Sequence, residues 1–194
     1  MATFAELVSD VYTLTNRPYL VEETKLAVKM ATLKAHQSDY YPKDLFEVGL
    51  AWTEPAFIQS IEYRTLIPRW RAFKYLRKYA GSSLGEFFKL LTPEETLDGY
   101  GINRENICYL AGEMLEIRSN TQDTNMIIGC YLNPITTEQG FTSWIALDHP
   151  YAIVFEAARI IFRQVGAVDE ANNMRTEVAE QYMILKQEVS AYGE

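Results

Sequence analysis

The sequence predicts an α+β protein: an antiparallel helical bundle formed by N- and C-terminal helices, with an antiparallel β-rich subdomain inserted between them. Apolar residues recur at helical spacing at both ends of the chain. Between Leu45 and Trp144 that periodicity fades into short runs of β-formers. The connection between the last two helical stretches is so short that they must pack as antiparallel neighbours. The expected division is 1–43 with 146–194 for the bundle and 44–145 for the insertion.

The first helix is expected to start at Thr3, which forms a capping-box pattern with Glu6. Phe4, Leu7, Val8, Val11 and Tyr12 make its apolar face. Asn16-Arg17-Pro18 breaks it. The second helix runs to about Gln37, with Val21, Thr24, Val28, Ala31 and Ala35 on one face and Lys25, Lys29 and Lys34 largely off it. Residues 45–52 and 57–67 read as strands, with Phe57, Gln59, Ile61, Tyr63 and Thr65 sharing a face in the second. After Pro68, residues 70–79 suit a strand or a helix, with strand favoured at the start. Thr92 to Glu95 reads as a turn or a single helical turn. Strands follow at 106–110, 114–118 and 126–132, the first two joined by a tight turn at Gly112-Glu113.

A helix is then expected over 148–166. Asp148 is the expected N-cap, Pro150 sits in the first turn, and Gly166 closes the helix in a left-handed conformation. Tyr151, Phe155, Ala158, Phe162 and Val165 form its seam. The last helix spans about 169–192, with Met174, Val178, Tyr182, Leu185 and Val189 as its apolar positions.

The chain has 194 residues, 48% of them hydrophobic, which suits one domain with a substantial core. No apolar run approaches the ~20 residues of a membrane span. The N-terminus lacks a signal-peptide pattern, so folding in a cytosol is expected. Cys108 and Cys130 lie in apolar, strand-like runs and read as small buried hydrophobes rather than as a disulfide. A net charge of −8 argues against bulk attraction to nucleic acid. Thirteen tyrosines suit protein contacts, where one end of a side chain is buried and the other is wet.

Motifs for chemistry are sparse. His36 and His149 have no metal-ligand spacing, and His149 reads as a turn residue. The pairs Glu22-Glu23, Glu94-Glu95 and Asp169-Glu170 fall at expected helix starts, where the helix dipole favours negative charge. Gly81-Ser82-Ser83-Leu84-Gly85 is a flexible turn, and the phosphate-loop patterns are absent from the sequence. No catalytic residues, metal or cofactor are expected.

One charge cluster stands out. Arg64, Arg69, Arg71, Lys74, Arg77 and Lys78 place six cations in fifteen residues without an acid, interleaved with Trp70, Phe73, Tyr75 and Tyr79. A contact with a protein partner is the favoured reading, ahead of a solvated face and of a nucleic-acid groove. From Gly166 onward, six acids oppose two bases. An acidic end and a basic segment can meet on neighbouring copies of one protein. The candidate partner interface is therefore Arg64, Arg69, Trp70, Arg71, Lys74, Arg77 and Lys78, together with Glu188 and Tyr192.

Several stretches resemble the head-to-tail adaptor proteins of short-tailed bacteriophages. They are Phe4-Ala5-Glu6-Leu7-Val8 through Thr15-Asn16-Arg17-Pro18, the helix running to Ser38-Asp39-Tyr40-Tyr41-Pro42, Leu66-Ile67-Pro68-Arg69-Trp70-Arg71, Gly129-Cys130-Tyr131-Leu132-Asn133-Pro134, and residues 144–166 with the helix after them. The likeness covers most of the chain. It implies a virion structural protein at the capsid–tail junction, assembled in the host cytoplasm as a ring, typically of twelve copies, under the portal. The implied partners are the portal protein, a tail nozzle or tail-fibre protein, further copies of the chain, and genomic DNA that passes through without specific binding. No membrane is implied. The family carries no ligand site onto this sequence. Two other readings stand beside it: a tail-associated cell-wall hydrolase, with Glu94, Glu95 and Asp98 as its best-placed acids, and a nucleic-acid-binding module using the cation cluster.

Overall fold

The computed structural model describes residues 3–80, 83–92, 94–95 and 105–191, with side chains at all of these except 80, 83 and 188–191. Among them are six helices: α1 (Phe4–Thr15), α2 (Val21–Gln37), α3 (Tyr63–Leu66), α4 (Trp144–Asp148), α5 (Pro150–Gln164) and α6 (Val168–Ala191). Six strands form one mixed sheet: β1 (Leu45–Glu62), β2 (Trp70–Ala80), β3 (Ser83–Phe87), β4 (Lys89–Leu90), β5 (Ile107–Ala111) and β6 (Met114–Leu132). The protein is α+β. The chain divides into two compact units, Met1–Asp44 with Asn133–Glu194, and Leu45–Leu132.

In the helical unit, Thr3 and Glu6 form the reciprocal capping box that starts α1, and Asn16 ends it in the left-handed region. Phe4, Leu7, Val8 and Val11 are buried. Ala27, Ala31 and Ala35 give α2 a smooth face on which α5 packs closely through Ile153, Ala157 and Ile161. Val21, expected on that face, is exposed; it begins the helix, ahead of the first buried turn.

Residues 148–166 depart from expectation in two ways. Ser143, not Asp148, supplies a side-chain cap: its Oγ accepts the Ala146 N–H at 3.1 Å and starts the short α4. A break at His149 separates α4 from α5, Pro150 is the first residue of α5, and Gly166 closes the stretch at φ +77°. Asp148 instead pairs with Lys43 at 2.8 Å. The seam is also rotated. Tyr151 and Val165 are exposed, while Ala152, Ile153, Val154, Glu156, Ala157, Ala158, Ile161 and Phe162 are buried. The expected seam included Ala158 but left out Ala152 and Ala157, small residues that let neighbouring helices approach.

A charge lies inside this unit. Glu156 is 1% exposed and accepts Lys34 Nζ at 2.7 Å and Arg159 Nε and Nη2 at 2.9 and 2.7 Å. Burial opposes its ionisation, but these cationic donors outweigh burial and hold the carboxyl below its ordinary pKa. Tyr182 is half-buried, and desolvation pushes its phenol well above the usual value.

In the sheet unit the strands expected at 45–52 and 57–67 join as the single strand β1, residues 83–85 of the expected flexible turn belong to β3, and three further corrections hold. Residues 63–66 are the helical turn α3 rather than the end of a strand, and Tyr63 is turned into the core against Trp70. The strands expected at 114–118 and 126–132 are halves of one 19-residue strand, β6. β1 pairs antiparallel along it, with register shifts near Ala56. The link between them, left out of the expected strands, is extended too, and its polar groups are hydrogen-bonded. Asn106 Oδ1 accepts the Asn120 N–H at 3.0 Å, Asp123 accepts from Ser119 and Thr121, and Gln59 Nε2 donates to the Asp123 carbonyl at 2.6 Å. The third correction is that the sheet is not wholly antiparallel: β4 runs parallel to β5. Phe88 N–H bonds Leu76 O on β2, and the next amide, Lys89, bonds Asn106 O beside β5. The chain crosses there from one neighbour to the other.

β2 explains why its sequence suited both structures. Its core residues Trp70, Phe73 and Leu76 are spaced by three, as on a helix. Two register shifts against β6, one after Trp70 and one after Phe73, add a residue each. Trp70, Phe73 and Leu76 then stand opposite Leu132, Cys130 and Ile128 and join one core with Leu115, Ile117 and Met126.

Candidate partner interface

The bulges that set the core face of β2 also set its outer face. Ala72, Tyr75 and Arg77 stand opposite Tyr131, Gly129 and Ile127 of β6, and alternation carries Tyr79 to the same side. Gly129 makes room for a ring: a Cβ there would lie 2.5 Å from Tyr75 Cε1. Phe87 of β3 meets Tyr75 edge-on, with centroids 5.6 Å apart. The Arg77 guanidinium lies 5.5 Å from the Tyr75 ring and 5.8 Å from the Phe87 ring. Glu47 of β1 reaches Arg77 at 3.6 Å, while the buried Arg77 Nε has no acceptor. Arg71 and Lys74 both lie near the Tyr131 ring, at 5.7 and 5.9 Å.

The candidate cations therefore separate by role. Arg71, Lys74 and Arg77 share this cation–aromatic surface. Lys78 is on the opposite face of β2, where its Nζ bonds Asn120 Oδ1 at 2.6 Å and pairs with Asp123 at 3.1 Å. Burial works against the charge on Asp123, but its bonds from Ser119, Thr121 and Lys78 hold its carboxyl below the ordinary value. Arg64 stands on α3 with its guanidinium 5.8 Å from the Tyr63 ring, and Arg69 lies in the turn before β2. Trp70 is a core residue. Tyr192 and the Glu188 side chain lie outside the described residues. Sequence reading did not single out Glu47, Leu84, Phe87 and Tyr131 for this surface; Leu84, Phe87 and Tyr131 come to it from strands paired with β2, and Glu47 from β1 across β6.

The helical unit contains a polar network with the spacing of a nucleophile relay. Ser143 Oγ lies 2.9 Å from His36 Nε2, His36 Nδ1 lies 2.8 Å from Asp44 Oδ1, and Trp144 Nε1 donates to that same oxygen at 2.8 Å. Ser143, His36 and Asp44 are buried, and Trp144 is partly buried. Ser143 Oγ also serves as the α4 cap. The network ties together the C-terminal end of α2, the helical turn Pro42–Asp44 and the start of α4. His149 occupies the break before α5, edge-on to Trp144. Glu95 bonds back to the Thr92 N–H at 2.7 Å, a capping contact that holds its carboxyl below the ordinary pKa. Asp98 lies outside the described residues.

Cys108 and Cys130 are free and buried, with desolvation pushing their thiols up to about 12 and about 11. Among the described residues no group of three or more His, Cys, Asp or Glu is arranged to hold a metal ion, and no helix is long and apolar enough to cross a membrane. Comparison of the chain with protein-family models and with curated proteins finds no match.

Proposed function

We propose that this chain is a ring-forming head-to-tail adaptor of a short-tailed bacteriophage, joining the portal to the tail around the DNA channel. In this reading α1, α2, α5 and α6 form the antiparallel bundle, and Leu45–Leu132 is the inserted β-rich part that offers contact surface. The observation that supports it most is that α1 and α2 pack on α5 from the far end of the chain, while the residues between fold as a unit of their own. Together with the stretchwise resemblance over most of the sequence, that order suits an adaptor protomer. An acidic chain also suits a channel through which DNA must slide without adhering. Incubation with the portal protein, followed by native mass spectrometry and negative-stain imaging, is expected to give rings seated on the portal. A chain that stays monomeric with portal at high concentration overturns the reading.

The cation–aromatic face of β2 favours one alternative, a nucleic-acid-binding module, because bases stack on aromatic rings beside cations. It requires oligonucleotide binding that weakens steeply with salt. The net charge of −8 weighs against it.

A further inference from the structure

We propose that the outer face of the β2–β3 hairpin is the seat for the exposed stripe of α6 from a second copy of this chain. The inference rests on the ring reading and names the surfaces that would join neighbouring copies.

The hairpin face exposes apolar and cationic groups side by side. Tyr79, Leu84 and Phe87 are 39%, 57% and 61% exposed; Phe87 stands opposite Arg77, whose side chain is 17% exposed and paired with Glu47, and the exposed Lys74 lies farther along β2 near the Tyr131 ring. Large exposed rings beside an Arg are the composition of an interface centre, and Lys74 adds charge at its rim. α6 buries one face of its own through Ala171, Val178 and Leu185. At 100° per residue, Asp169, Glu177, Glu180, Met183 and Ile184 fall together on the other side, with Met183 and Ile184 at 57% and 44% exposure. The two bases of α6, Arg175 and Lys186, fall away from that stripe. Its carboxylates thus match the exposed Lys74, and its apolar end matches Leu84 and Phe87.

Neither surface suits itself: hairpin on hairpin sets cation against cation, and helix on helix sets acid against acid. The contact is therefore between unlike surfaces, the kind that closes copies into a ring when the rotation permits.

The test uses the full chain with Lys74→Glu as one variant and Glu177→Lys/Glu180→Lys as the other. All three positions are exposed, and circular dichroism checks that each variant folds. Native mass spectrometry over a concentration series is expected to show salt-sensitive self-association of the unaltered chain. Each variant alone should associate about tenfold more weakly or worse. An equal mixture of the two should recover association, because the reversed surfaces complement each other. Unaltered association of either variant, or no recovery on mixing, overturns this contact and leaves the ring reading to its own test with portal. An unaltered chain that stays monomeric throughout also overturns it. So does a Lys74→Glu variant that loses binding of a labelled single-stranded oligonucleotide while self-association is unchanged, which would assign the face to nucleic acid.

Discussion

At Gly129 the missing side chain is a structural requirement, because the Tyr75 ring occupies the space a Cβ would fill. Gly129→Ala forces the ring off the sheet and is expected to cost about 1–3 kcal/mol, the usual range for overpacking, read as a lower urea midpoint with an unchanged slope. A variant as stable as the parent would mean that Tyr75 does not seat there. Glu156 gives a second residue-level expectation, one that depends on pH. Folding lowers its pKa, so its contribution is complete above the unfolded-state value of about 4.3 and is lost as pH falls through the lower folded-state value. Glu156→Gln leaves Lys34 and Arg159 facing a neutral amide and is expected to cost about 3–5 kcal/mol at pH 7. That deficit should shrink at acidic pH, where the parent carboxylate is also neutral. Equal deficits at pH 7 and pH 3 would count against an ionised Glu156. Neither role was legible in the sequence: a glycine in a strand and a glutamate beside a phenylalanine acquire their meaning from Tyr75 and Lys34, far away in the chain.

Elements were more legible where their signals are local. The α1 capping box, the Pro150 start and the Gly112 turn each depend on residues within a few positions. Competing signals failed where one motif sat close to another. Ser143 and Asp148 are both good N-cap residue types, and the structure uses Ser143. Ser143→Ala is therefore expected to cost about 1–3 kcal/mol, from the lost cap and the lost hydrogen bond to His36. Asp148→Ala, which removes a surface pair with Lys43, should cost less than about 1 kcal/mol. Thermal melts of the two variants compare them directly, and the reverse order would restore Asp148 as the cap. In β2 the three-residue spacing of Trp70, Phe73 and Leu76 looked helical because bulges leave no mark on hydrophobic periodicity. In β6 the run from Ser119 to Asn125 did not read as strand because its hydrogen-bonding partners, Asn106 before β5 and Gln59 on β1, are distant in the sequence.

At the scale of the whole molecule, the α+β class followed from where helical periodicity stops and resumes, a signal that survives errors in any one element. The cation cluster was legible as a cluster. Its division into an outer face, a polar network around Lys78 and the core position of Trp70 was not, because strand alternation interrupted by bulges decides it. The sheet's closure over Cys108 and Cys130 also gives a readout of global opening. With both thiols buried and their ionisation suppressed, a thiol reagent is expected to leave the native chain unlabelled at neutral pH and to label both in urea. Prompt labelling of either one without denaturant would show local opening of the sheet. One contact described above also bears on how the chain is made. Lys34 meets Glu156 across 122 residues of sequence, so α2 emerges from the ribosome long before its buried counter-ion exists. Until α5 follows, the early helices have neither their apolar support nor their charge partner. The sheet unit, whose strands all lie between, can finish first, and the helical unit then completes around a chain already half folded.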